Sequence, residues 1–183
     1  MISLSYVCTM ASYNSEMNRR IFEAAGRLSD EERRAERGVF WRSIHGTLSH
    51  ILWADQMQMS RFAQWPKPVA PIEASGGDGV SFEALWQERE TFDHALLEWA
   101  AGLAPQWLDG EIAWRSIAKG RDVTSSKALL VVHMFNHQTH HRGQVHALIT
   151  RAGESTGDTD LWLIVTRPDL NSKNGTQSVP AGP

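Results

Sequence analysis

Five of the eight histidines in this 183-residue chain fall between His133 and His146, in the run HMFNHQTHHRGQVH. Imidazole is the commonest protein ligand for transition metals, so the spacing of these residues decides what the cluster can do. His137 and His141 are one helical turn apart, and their rings can converge on one ion at metal–nitrogen distances of about 2.0–2.1 Å. Leu130, Met134, Val145 and Leu148 share roughly that face, which turns the pair toward a helical core and away from water. One such pair is weak evidence, because buried histidines often only hydrogen-bond to backbone. A third candidate on another segment strengthens it. His50, in LSHILWAD, lies on the flank of an apolar stripe, and Gly46 and Ala54, one turn before and after it, predict room beside its ring. Three imidazoles from two helices leave a coordination position open, as catalytic sites do and closed structural sites do not. With no Cys or carboxylate at comparable spacing, one divalent transition ion per chain is expected. Zn or Ni is favoured, with Fe, Cu or Mn as alternatives.

Weaker candidates stand around this trio. His133, one turn before His137, is a candidate acid–base group or supporting donor, weighed against a plain helix-face histidine. Gln144, close to the ligand face beyond His141, could steady a ligand ring or a bound water. Arg61 lies along the helical strip that carries His50 and could recognise an anionic substrate group, although a solvated arginine is the commoner outcome. His140 and His146 point off the ligand face and read as structural. His45 and His94 read as surface or boundary residues. Asp55 and Arg142 each follow a ligand candidate by five residues. They are expected to lock the second and fourth long helices together, by pairing directly or by each holding nearby backbone, against the alternative of two unrelated charges.

Four helical segments must position these residues. Apolar periodicity predicts helices over 4–28, from about Ser43 to Gln64, from Ser81 to about Gly102, and from Ser125 or Ser126 to about Ala152, with Gly153 as the stop. Ser29 with Glu32 reads as a capping box opening a short helix over 30–37. Residues 111–124 alternate and Lys119-Gly120 looks like a turn, which predicts a short β-hairpin before the last long helix. The segment PKPVAPIEASGGDG at 66–79 is long enough to be a lid or binding loop as readily as a mobile linker. The expected fold is all-α, a four-helix bundle over residues 1–170, with 171–183 as a disordered tail.

Composition narrows the function. The length suits one domain with a real core. A net charge of -3 gives no general attraction for phosphate backbones, so nucleic acid is not an expected partner. No apolar run approaches the roughly 20 residues that span a bilayer, and no signal peptide is visible. One cysteine excludes an internal disulfide framework and fits a cytoplasmic setting, with Cys8 itself read as a packed small hydrophobe. Eight tryptophans are more than one small core comfortably holds, which predicts a homodimer with some of them at the interface.

The blocks YNSEMNRRIFEAAGRLSDEE, SIHGTLSHILWADQMQMSRF and HMFNHQTHHRGQVHALIT, together with the later GDTDLWLIVTRPDL, resemble the DinB family, also described as DinB/YfiT-like metalloenzymes; the translesion polymerase of similar name is unrelated. The resemblance covers roughly residues 6–170. It implies a four-helix bundle, often dimeric, with a metal on three histidines that fall on His50, His137 and His141. Related members of the wider group include thiol-dependent S-transferases and a mycothiol-dependent maleylpyruvate isomerase. The isomerase type carries a Glu in place of one histidine of the last-helix pair, a departure from the residues found here. The expected function is therefore a metal-dependent enzyme on a small molecule, of thiol S-transferase type, with the site activating a low-molecular-weight thiol or water. The alternatives are a metal-dependent hydrolase and a non-enzymatic metal-binding or stress-response protein.

Overall fold

The computed structural model of the chain describes residues 1–116 and 119–165. The tail expected over 171–183 lies outside the described residues. Four long helices carry the architecture: α1 (Leu4–Gly26), α3 (Ile44–Phe62), α4 (Phe82–Ala101) and α5 (Lys127–Arg151). Two short helices, α2 (Asp30–Arg34) and α6 (Leu161–Val165), and one antiparallel hairpin complete it. Strand β1 (Glu111–Ser116) pairs with β2 (Arg121–Ser126), with Trp114 opposite Val123. The fold is thus the all-α bundle expected, with its hairpin before the last long helix. Among the described residues no helix is long and apolar enough to cross a membrane.

The starts of the helices follow from one local device. Ser3, Ser29, Ser43, Ser81 and Ser126 each stand at an N-cap in extended conformation, and each hydroxyl accepts a backbone N–H three residues on. That bond satisfies one of the donors a helix start leaves open, a contribution of about 1 kcal/mol per cap. At Ser29 the reciprocal bond from its own N–H to Glu32 completes the capping box. Helix α5 ends at Ala152, and Gly153 then takes a φ of 88°, left-handed backbone that a residue with a Cβ rarely adopts.

Helix α1 packs against both α4 and α5, and α3 packs mainly on α5. Phe22, Ile44, Leu96, Val131, Met134, Phe135 and Val145 form part of the fully buried core between them. Each such side chain contributes roughly 1.5–3 kcal/mol by leaving water. Most of the tryptophans find a place within one chain. Trp65, Trp86, Trp99, Trp107 and Trp114 pack on this core, while Trp162 is 67% exposed. Cys8 is half-buried and donates its thiol hydrogen to the Ala100 carbonyl at 3.4 Å, as a packed residue would.

The bundle also buries a charged network. The Arg89 guanidinium, on α4, donates to Asp55 Oδ2 on α3 at 2.7 Å and to Asp93 Oδ1 at 2.6 Å. Asn18 on α1 donates to both Asp93 oxygens at 3.1 and 3.0 Å. Arg142 on α5 donates to Asn14 and, at 3.5 Å, to Asn18. Asp55 and Arg142 do not pair with each other: Asp55 on α3 is held from α4 by Arg89, and Arg142 on α5 is held from α1 by Asn14 and Asn18, in each case through side chains. Arg89 is the partner that Asp55 and Asp93 share. It occupies a core position in register with Leu85, Phe92 and Leu96, and that register was the available signal.

Candidate metal centre

Helix α3 brings His50, and α5 brings His137 and His141, to one point where these helices pack. One donor atom from each ring lies within 4.8 Å of the others. Nε2 of His50 and Nε2 of His137 are 3.4 Å apart. Two donors bound at about 2.05 Å to a tetrahedral ion sit about 3.3 Å apart, so this pair already spans an edge of such a site. The ring centroids of His137 and His141 are 4.4 Å apart, and those of His50 and His141 are 5.0 Å apart.

Two of the rings are aimed by a second side chain. His50 Nδ1 lies 2.8 Å from Ser75 Oγ, and His141 Nδ1 lies 2.8 Å from Gln144 Oε1. An amide oxygen only accepts, so His141 Nδ1–H donates to it and Nε2 keeps its lone pair for the centre. The same tautomer of His50, donating to the serine hydroxyl, turns its Nε2 lone pair toward His137. Gln144 thus holds the His141 ring. Its Nε2 faces His140 Nε2 at 3.4 Å.

Burial sets the charge state. It pushes His50 down to about 3 and His137 down to about 4, with the neighbouring histidines adding to both shifts. Burial also lowers His141, partly opposed by its bond to Gln144. The three rings are therefore neutral near pH 7, and neutral imidazole is the form that ligates metal.

The surroundings of His50 differ from the expectation. Gly46 does not leave space for a ligand: a Cβ there would lie 2.2 Å from the Trp41 carbonyl oxygen. The small residue lets the preceding chain cross α3 closely, and the Trp41 indole then stacks on His50 at 3.9 Å and 20°. A tight turn aims it, with Arg42 N–H donating to the Val39 carbonyl at 2.8 Å and Arg42 at a φ of 68°. At the tip of this turn Phe40 is 79% exposed and packs edge-on to Trp41.

Segment 66–79 also comes to the site through Ser75, and beside it Gly77 meets His45. The segment's arrival buries His45, which is 1% exposed and not the surface or boundary residue expected. His45 Nε2 lies 3.3 Å from the Gly77 carbonyl, and burial lowers this histidine too. Local sequence gave no sign of this, because the cover comes from residues some thirty positions away.

The remaining candidates separate. His133 is exposed, with its ring 6.1 Å from that of His137. His146 bonds Thr156 Oγ1 at 2.6 Å, on another side of α5. His94 is exposed beside Glu98, as expected. Arg61 is not at the trio. Eleven residues along α3 place it about 16 Å from His50, and its guanidinium sits 5.1 Å over the Trp114 ring of the hairpin.

The sequence model of the DinB family matches residues 1–169 of the chain. No curated protein and no solved structure matches it.

Proposed function

Because the chain belongs to the DinB family, we propose that it holds one divalent transition metal on Nε2 of His50, His137 and His141 and acts as an enzyme on a small molecule. The observation that carries this reading is the convergence of three neutral donors within 4.8 Å, with no protein carboxylate among them. Zn or Ni suits such a donor set best. An ion there supplies Lewis acidity, lowering the pKa of a thiol or water at the open position.

The chain's own residues supply the rest. Ser75 and Gln144 fix two rings, and Trp41 shields one face of His50 from water. In this reading His133, exposed and one turn from His137, passes a proton to solvent. The favoured reaction is transfer of a low-molecular-weight thiol to an electrophile. A carbon–sulfur bond forms, the electrophile's leaving group departs with the electron pair of the broken bond, and the thiol proton is released. Holding both reactants side by side removes much of the entropic cost of their meeting.

The test compares metal-loaded, metal-free and His50→Ala protein across several small thiols and one electrophilic probe, with an activated ester run in parallel. Conjugation by the loaded wild type alone supports the reading. Equal rates for all three proteins sink catalysis at this site, and ester cleavage without thiol dependence makes the protein a hydrolase. We also infer a homodimer, in which exposed Phe40 is apolar surface for a second copy to cover. A monomer mass by light scattering at tens of micromolar removes it.

A further inference from the structure

Segment 70–80 lies along one face of α3 and is tied to it repeatedly. Trp53 Nε1–H donates to the Ala70 carbonyl at 2.8 Å. Ser75, which follows a single 3₁₀ turn at Ile72–Ala74, meets His50 at 2.8 Å. The Gly77 carbonyl faces His45 Nε2 at 3.3 Å. Gly77 itself sits so close that a Cβ on it would lie 2.1 Å from Ser49 Oγ, and its φ of 65° independently disfavours a side chain. Residues 45, 49 and 53 of α3 recur at four-residue spacing, with His50 beside them, so the segment follows a single strip of the helix. Beyond Gly77 the chain is held on the other side as well, where Arg34 Nη2 donates to the Val80 carbonyl at 2.7 Å.

Of these ties, only the one at Ser75 reaches the metal centre. Ser75 is 2% exposed, so in the folded chain its hydroxyl, and not bulk water, is the partner of His50 Nδ1. A histidine ligand whose second nitrogen loses its partner is free to rotate or to take the other tautomer. In either state the coordinating lone pair no longer points at the ion. The same segment forms one wall of a cavity of about 630 Å³, closed on the helical side by Ser49, Trp53, Gln56 and Leu85. A ligand in that cavity would touch Ser75, one hydrogen bond from His50.

We propose that residues 70–80 are a clasp that aims His50 through the Ser75 hydroxyl, with Ser75 as a positioning residue, so that metal binding and closure of the segment stabilise each other. The proposal rests on the three-histidine reading above. The coupling is reciprocal: if the closed clasp tightens the ion, the ion must tighten the clasp by the same factor.

The experiment titrates zinc and nickel against a chromogenic chelator for wild type, Ser75→Ala, Ser75→Thr and Gly77→Ala. Amide exchange over residues 70–80 of the wild type is followed with and without zinc. Ser75→Ala is expected to bind metal roughly 10–100-fold more weakly, the usual effect of losing a partner of a ligand ring. Ser75→Thr, which keeps the hydroxyl, restores most of the affinity. Gly77→Ala, which keeps Ser75 but prevents the segment from seating, falls toward Ser75→Ala. Zinc slows exchange across 70–80. Wild-type affinity in Ser75→Ala overturns the proposal, and so does exchange over 70–80 that zinc leaves unchanged, a measurement needing no variant. A wild type that takes up neither metal is a different failure, because it removes the three-histidine reading itself.

Discussion

The two buried polar clusters of this bundle lie close together and obey opposite rules. In the network of Asp55, Arg89, Asp93, Asn18 and Arg142, each charge meets a donor or acceptor from another side chain, with Arg89 Nε and the Nδ2 of the adjoining Asn14 buried without a partner. In the histidine trio, hydrogen bonds are made on the outer nitrogens of His50 and His141, while the inner nitrogens face one another. Two neutral lone pairs aimed at the same point repel unless a proton or a metal ion lies between them, and His50 Nε2 and His137 Nε2 are 3.4 Å apart. A polar group buried in a bundle is therefore structural when its own neighbours satisfy it, and a binding site when they aim its free atoms at a common centre. Burial reinforces the contrast: it keeps the three histidines uncharged, and Arg142, pushed down only to about 10, still carries its charge near neutral pH.

If the charged network is structural, removing its hub should have the largest effect in the molecule. Arg89→Leu leaves Asp55 and Asp93 buried without their cation, which typically costs about 3–5 kcal/mol. Urea unfolding should show a loss of that order, while the fraction still folded keeps its metal uptake. Normal stability with lost metal uptake would mean that the two clusters are one unit and that the contrast is false.

The histidine substitutions should behave the other way round. His50→Ala, His137→Ala and His141→Ala each remove one of three protein ligands, so stoichiometric metal should disappear from all three variants by elemental analysis. The urea midpoint of the metal-free protein should move less than in Arg89→Leu. Near-full occupancy in any one of them would falsify that ligand's assignment.

Gln144→Ala sharpens the comparison at the next level. It leaves the three ligands in place and frees only the His141 ring, so metal affinity should fall roughly 10–100-fold with the stoichiometry kept at one ion per chain. Unchanged affinity would reduce Gln144 to a surface contact.

The smallest effect is a slope with pH. His50 and His137 lie below the usual histidine value of about 6.5 when folded, so the unfolded chain binds more protons between there and about pH 4. Their contribution to stability is complete above about 6.5 and is lost as pH falls through the window, so the metal-free protein should unfold at progressively lower urea from pH 7 to pH 5. Bound metal, which competes with those protons, should flatten the slope. A metal-free protein with constant stability over that range would show that the rings are not held neutral by burial.

The helices, the hairpin and the three histidines that converge were all legible in the residues themselves. Apolar periodicity and serine caps act within one or two turns, so they were legible at Ser43, Ser81 and Ser126 and in the stop at Gly153. The pairing of His137 with His141 is equally local, since four residues on a helix share a face whatever surrounds them. Tertiary structure alone decided what lies on the other side of each ring. Nothing near His50 in sequence names Ser75 as its partner or shows that Gly46 makes way for the Trp41 backbone. Nothing near Asp55 names Arg89, thirty-four residues on. Those contacts depend on how helices and loops far apart in the chain come to rest against one another. Their free energy comes from packing and burial across elements, and it leaves no period or cap in the local sequence to read.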